Sequence, residues 1–255
     1  MANIIIIGAG NVATVLAKSF IAHHHSIIQI INRDKLKGQA LANAVQAKHF
    51  DTSLQSLQQN ADFYIIAVSD IAIPEVAQQL HIKNGILLHT AGAVDIHVLQ
   101  NAAKQYGVLY PLQSLQASMQ HTPTIPFLVE GNTQLTEQAI YKWATTFSQT
   151  VQLADSDYRL HMHLAAVLAS NFSNHLYTLT HEYCKHTNID FSLLLPLIQE
   201  TANRLEHYNP NDVQTGPAAR NDIATIQKHQ QLLQANPQLL RIYNLLTASI
   251  QKMYA

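Results

Sequence analysis

The sequence predicts an α/β protein: a doubly wound parallel sheet in the N-terminal part, followed by an all-α C-terminal domain. Two observations predict it. In the first half, short apolar runs rich in Ile, Val and Leu alternate with amphipathic stretches. That is the pattern of strands buried on both faces and joined by crossover helices. Near residues 154–157 the strand pattern stops, and only helical periodicity continues. The boundary is therefore placed at 154, with residues 1–154 as the α/β domain and 155–255 as a helical domain of ordinary size.

The elements follow in order. Asn3–Gly8, Ile27–Ile31, Phe63–Val68, Ile86–His89 and Val108–Tyr110 are the apolar runs read as strands. Helical patterns separate them at Val12–Ala22, Leu36–Ala44, Ile73–Leu80 and Asp95–Tyr106. A strand at Phe127–Glu130, a helix at Leu135–Phe147 and a short strand at Val151–Leu153 complete the first domain. In the second, Asp157–His186 reads as one long helix with Leu160, Leu164, Val167 and Leu168 on a buried face. Asp190–Glu206 is the next, with Pro196 either kinking it or sitting in its first turns. Asn209-Pro210 breaks the chain, Gly216-Pro217 opens a third helix reaching Leu233, and Asn236-Pro237 caps and starts a fourth.

Composition excludes several classes. The 255 residues carry a net charge of −1, are 12% charged and are 47% hydrophobic, which a disordered chain is not. No basic excess points to nucleic acid. One cysteine, Cys184, cannot build a disulfide scaffold and suits a reducing compartment. The start of the chain lacks a basic region, and its apolar run is far shorter than the ~20 residues of a membrane span. A cytoplasmic protein without membrane attachment is expected. The fifteen histidines equal Lys and Arg together, which raises metal binding, catalysis or a charge switch.

The strongest local motif is Gly8-Ala9-Gly10-Asn11-Val12-Ala13, a G-x-G-x-x-A between an apolar strand and an amphipathic helix. Gly8 permits the tight turn, Gly10 lets the backbone approach a pyrophosphate, and Ala13 lets helix and strand pack closely. The helix N-terminus then directs unpaired N–H groups at the phosphates. At the end of the second strand, where an acidic residue would bind a ribose 2′-OH, stands Asn32, followed by Arg33. A guanidinium pairs with a 2′-phosphate and stacks on adenine, so NADP is the expected cofactor. Asp34, two residues on, keeps NAD open. Two later strand ends, Val68-Ser69-Asp70 and His89-Thr90-Ala91, should line the same crevice. Asp70 is read either there or as the N-cap of the helix containing Pro74.

These residues resemble a family. Gly8–Ala13, Asn32-Arg33, His89-Thr90-Ala91-Gly92 and Tyr110-Pro111-Leu112-Gln113 carry the likeness in the first half. His163-Leu164-Ala165-Ala166, Ser170-Asn171-Phe172 and Gly216-Pro217-Ala218-Ala219-Arg220-Asn221-Asp222 carry it in the second. The chain looks like the Rossmann-type proteins whose C-terminal part is domain of unknown function 2520. They are similar in plan to pyrroline-5-carboxylate reductase and deazaflavin-dependent NADP reductases. The resemblance implies an NADP-binding oxidoreductase fold whose helical domain often forms a dimer. The Ser- and Gly-rich C-terminal signature of a proline-forming reductase is missing, so the resemblance names no substrate.

A nicotinamide enzyme needs few protein groups, because the cofactor carries the hydride. His163, Ser170 and Asn174 fall on one stripe of the long helix, with Asn171 and His175 alongside. The stripe is either a solvent face or a polar wall of the active site facing the crevice between domains. In the second reading His163 is the proton donor and Asn171 orients the substrate or the carboxamide. Arg220, read at a helix start, would bind a substrate carboxylate, with Asp222 fixing it or capping the helix. His89 is read either as a cofactor contact or as a hydrogen-bonded core histidine. His23-His24-His25 lies at the opposite end of the sheet, and adjacent residues do not converge on a metal, so no metal is expected.

Two functions compete. One is an NADP(H)-dependent oxidoreductase acting on a small C=O or C=N substrate. The other is a non-catalytic NADP(H) sensor or interaction protein. The crowding of Phe191, Leu193, Leu194, Leu195, Leu197 and Ile198 predicts a homodimer through the helical domain.

Overall fold

The computed structural model describes residues 1–119 and 123–254. Packing divides the chain into two compact units, Met1–Asn171 and Phe172–Ala255.

The first unit holds β1 (Asn3–Ile7), β2 (Ser26–Ile31), β3 (His49–Asp51), β4 (Phe63–Ile66), β5 (Ile86–His89), β6 (Tyr106–Pro111), β7 (Phe127–Gly131) and β8 (Val151–Leu153). They form one sheet in the order β3-β2-β1-β4-β5-β6-β7-β8. All neighbours run parallel except β6 and β7. The chain reverses its winding between β1 and β4, which opens a crevice at the carboxyl ends of these strands. Helices α1 (Asn11–Ala22), α2 (Lys35–Ala44), α3 (Ile73–Gln78) and α4 (Gln134–Ala144) cover the sheet.

Strand β1 shows why its sequence is apolar without alternation. Ile4 and Ile6 enter one core with Leu16, Phe20, Leu41 and Trp143. Ile5 and Ile7 enter the core on the other face with Ile73, Ala77 and Leu99. Each such side chain stabilises the fold by about 1.5–3 kcal/mol. The aromatic end of the first core contains His25, whose Nε2 is hydrogen-bonded to Thr146 Oγ1 at 2.9 Å and whose Nδ1 accepts from the Ala2 amide at 3.2 Å. The last member of the histidine run is thus a packing residue beside Phe20, Trp143 and Phe147.

Several elements differ from expectation. Strand β3 has no counterpart in the sequence pattern, because three residues at a sheet edge carry no apolar run. The helix expected over Asp95–Tyr106 is a single 3₁₀ turn, Ile96–Leu99. Asp95 caps that turn through the His97 amide at 2.7 Å, and Ala103 then pairs with Ile82 in a parallel bridge, which ends helical winding.

Helix α5 (Ser156–Ala166) continues through a π-helical turn at Val167–Phe172 into α6 (Ser173–His186). The expected buried face is corrected: Leu160, Leu164 and Leu168 are 48%, 55% and 55% exposed. Arg159, buried to 1% exposure, takes the inward position, with Met162 packed beside it against Val108, Tyr110 and Leu128. This anchoring carries the first unit on to Asn171, although the last strand ends at Leu153.

In the second unit, α7 (Leu195–Asn203) has Pro196 in its first turn and a 3₁₀ turn, Phe191–Leu194, before it. Helix α8 (Ile223–Leu232) starts six residues later than the Gly216-Pro217 reading expects. Asn221 stands at φ +51° and Asp222 caps the helix by accepting from the Thr225 amide at 3.1 Å, so winding begins only there. Helix α9 (Pro237–Tyr254) begins as expected, with Asn236 Oδ1 accepting from the Leu239 amide at 3.1 Å. No helix among the described residues is long and apolar enough to cross a membrane.

Candidate active site

The crevice at the ends of β1, β2 and β4 is a cleft of about 730 Å³ within the first unit. Its floor is the turn from β1 to α1. Gly8 has φ +122°, and a Cβ there would lie 2.2 Å from the Ala67 carbonyl oxygen, so only glycine fits. Gly10 is the reverse case. A Cβ there meets nothing within 4 Å, so the bare backbone faces open space. Gly10 is the N-cap of α1, no side chain caps it, and the first turn holds no acid. The amide groups of this turn are therefore free for an anion. Ala9, Asn11 and Val12 also line the cleft, whereas Ala13 is wholly buried behind it, where its small size lets α1 approach the sheet. Asn11 also ties down the segment after β6, because its Oδ1 accepts from the Ala117 amide at 3.0 Å.

The end of the cleft beside β2 and β3 is lined by Asn32, Arg33, Asp34, Lys37, Thr52, Ser53 and Leu54. Asn32 donates from Nδ2 to the Asp34 carbonyl at 2.7 Å. Asp34 caps α2 through the Lys37 amide at 3.1 Å and lies 3.7 Å from Lys37 Nζ. Its carboxylate is thus already engaged, while Arg33 is exposed. Sequence reasoning misses Lys37, Thr52 and Ser53, because a helix-surface lysine and a loop after an unexpected strand carry no motif.

Val68 and Ser69 line the cleft beyond β4. Asp70 is corrected as an N-cap. It lies inside a 3₁₀ turn, Asp70–Ala72, while Ala72 occupies the N-cap of α3 without a side-chain bond.

After β5, His89 takes the core alternative. It is fully buried, and its Nδ1 accepts from the Ala91 amide at 3.2 Å. Its Nε2 has no partner among the described residues. Burial, then the Arg159 guanidinium, push its pKa down to about 3, so the ring is neutral. Thr90 and Ala91 are buried too, with Thr90 Oγ1 donating to the Ile66 carbonyl at 3.5 Å.

His163 on α5 is partly buried, and its Nδ1 is hydrogen-bonded to the Tyr110 hydroxyl at 3.0 Å. Sequence reasoning does not mark Tyr110 as a site residue; 53 residues separate the pair, and only the sheet brings them together. Arg159, one turn before His163, pairs with Glu130 and donates to the Val94 carbonyl at 2.7 Å. Asn171 is exposed in the π turn, which re-phases the residues after it relative to His163.

In the second unit, Arg220 is exposed in the turn before α8 instead of on its first turn. Asp222 caps α8 and is hydrogen-bonded to the Thr225 hydroxyl at 2.8 Å. These bonds to Thr225 hold its carboxyl below the usual range. No ion pair joins Arg220 to it among the described residues.

Comparison with known proteins agrees with this geometry. Residues 3–91 match the family described as NADP oxidoreductase, coenzyme F420-dependent, and residues 125–250 match the domain of unknown function 2520. A protein of Bacteroides fragilis assigned as an NADP oxidoreductase is 35% identical over 98% of both chains, with a TM-score of 0.92. A 1-pyrroline-5-carboxylate reductase from Streptococcus pyogenes is 16% identical over 98% of both chains, with a TM-score of 0.65. A reductive aminase from Aspergillus terreus, in complex with NADPH and ethyl levulinate, is 14% identical over 99% of this chain and 93% of its own, with a TM-score of 0.70. The last two share the fold. A search of curated proteins gave no match.

Proposed function

The chain belongs to the NADP oxidoreductase family that carries domain of unknown function 2520 in its C-terminal part, and on that premise we propose that it transfers hydride between NADP(H) and a small C=O or C=N substrate. The observation that carries the cofactor half is the bare backbone at Gly10, at the uncapped start of α1. A dinucleotide pyrophosphate fits there, held by the free amides of that turn. Arg33 and Lys37, with the Thr52 and Ser53 hydroxyls, fit a 2′-phosphate at the other end of the cleft. That set favours NADP over NAD, since Asp34, which follows Arg33, already caps α2 through the Lys37 amide.

When bound, the nicotinamide supplies or accepts the hydride. This chain's residues then handle the proton and the orientation. His163 is proposed as proton donor to the substrate heteroatom, Asn171 as the group that orients substrate or carboxamide, and Arg220 as the ligand of a substrate carboxylate. The pyrroline-carboxylate and aminase neighbours favour a C=N substrate by their names. The reaction is placed in the cytoplasm, where the single buried Cys184 stays reduced. The partner is a small molecule, not nucleic acid, in keeping with the net charge of −1.

A homodimer through the helical unit belongs to the proposal. Leu193, Leu195 and Leu197 are 74%, 53% and 59% exposed, more apolar surface than one short segment leaves bare without a partner. Light scattering should give a dimer; monomer alone at micromolar concentration would count against it.

The enzymatic reading is tested by following NADPH oxidation against a panel of small keto and imino acids, with NADPH and NADH titrated separately. NADPH should bind more tightly, and His163→Ala should lower kcat about 100-fold or more. Equal binding of NADH would overturn the cofactor assignment, and an unchanged kcat would remove His163 from the chemistry.

A further inference from the structure

The Tyr110 hydroxyl has one hydrogen-bond partner among the described residues, His163 Nδ1. The tyrosine is only 8% exposed. Burial, then the Asp70 carboxylate, raise its pKa above the ordinary phenol value, so the O–H keeps its proton. A buried donor left without an acceptor is costly. In the neutral state, His163 satisfies that O–H only if Nδ1 is bare, which puts the ring proton on Nε2. In the charged state the same oxygen accepts from Nδ1–H, because a hydroxyl both donates and accepts.

The surroundings are built around this contact. The two rings meet edge to face, with centroids 5.9 Å apart. Gly92 leaves the room for it. A Cβ there would lie 2.7 Å from His163 Nδ1 and 2.9 Å from Tyr110 Cζ. On the helix side, Arg159 fixes the same face of α5 one turn earlier, through Glu130 and the Val94 carbonyl. Asp70, whose carboxylate acts on the Tyr110 phenol, directly follows the cleft-lining Ser69 in the chain.

We propose that Tyr110 is the positioning residue for His163. It engages Nδ1 in both charge states, so the proton that leaves and returns is the one on Nε2. The inference rests on the reading of His163 as proton donor. In that step the protonated ring gives its Nε2 proton to the substrate oxygen or nitrogen as hydride reaches the carbon. The ring is left neutral, solvent reprotonates Nε2, and Tyr110 keeps its own proton throughout.

The test is the ¹⁵N spectrum of the histidine rings in the intact protein, with the His163 signals assigned by their loss in His163→Ala. In the neutral ring of the wild type, Nε2 should carry the proton and Nδ1 should be bare. Tyr110→Phe should convert this to a mixture of tautomers. It should also lower kcat about 10- to 100-fold while leaving KM for NADPH unchanged. Gly92→Ala, whose Cβ would press on both rings and wedge the pair apart while leaving the tyrosine chemically intact, should act the same way and replaces Tyr110→Phe if that variant does not fold. A protonated Nδ1 in the wild type, or an unchanged ¹⁵N pattern in both variants, would overturn the inference. A tautomer shift with unchanged kcat would also overturn it when His163→Ala is inactive. If His163→Ala itself keeps full activity, the proton-donor reading fails, and the spectra still decide whether Tyr110 sets the tautomer.

Discussion

Arg159 shows what a single residue can decide. Its guanidinium is buried to 1% exposure, pairs with Glu130, and donates to Ser156 Oγ at 3.0 Å. Ser156 in turn donates to Glu130 at 3.0 Å and accepts from the Ile96 amide at 3.2 Å. A buried charge is tolerable only with such partners. Removing one of them should cost more than the pair is worth. Arg159→Met should therefore destabilise the protein by about 3–5 kcal/mol in urea unfolding, and adding Glu130→Gln should recover part of the loss. A cost below about 1 kcal/mol would mean that the pair does not hold α5. Nothing local marks this arginine in the sequence. It sits among Leu and His at helical spacing, and two of its three partners, Glu130 and Val94, lie on a strand and a loop.

At the scale of elements, the turn from β1 to α1 is fully legible in the sequence, because its constraint is local. Gly8→Ala would place a Cβ against the Ala67 carbonyl at φ +122°. The left-handed strain alone is about 1–2 kcal/mol, and the backbone clash adds to it. The expected outcome is a lower melting temperature together with loss of NADPH binding by titration. Unchanged binding would mean that the turn is not the pyrophosphate site. Helix α5 is legible as a helix but not in its orientation. Leucine periodicity points to Leu160, Leu164 and Leu168 as the buried face, and the sheet instead receives Arg159 and Met162. Burial follows where partners stand, and the partners of this face are polar. The start of α8 is displaced from its expected place for a related reason: a positive φ at Asn221 and the Asp222 cap defer winding that Gly216-Pro217 would permit.

At the scale of the molecule, the abundance of histidine has a consequence for stability. His25 is pushed below 6.5, first by burial, and His89 is pushed down to about 3. Both folded-state values lie below those of the unfolded chain, so on acidification the unfolded state takes up protons first. Their stabilisation is complete above about pH 6.5. It declines as pH falls below that value, and for His89 the decline runs on toward about 3. Each group contributes a slope of up to ~1.4 kcal/mol per pH unit in its window. The urea midpoint should therefore drop between pH 7 and pH 5, and His89→Gln should flatten the dependence. A midpoint constant across that range would show that these rings are not held neutral.

Sequence alone determined the α/β class followed by helices, the glycine turn, and most of the strands. These rest on local steric rules and on burial of both sheet faces, which imprint directly on short segments. Tertiary structure decided which side chains meet. It brought Tyr110 to His163, seated Arg159 against Glu130, closed His89 into the core and set Lys37 beside Arg33 on one cleft. Such meetings depend on strand order and helix rotation, which arise from packing across many residues and leave no periodic trace at any one of them.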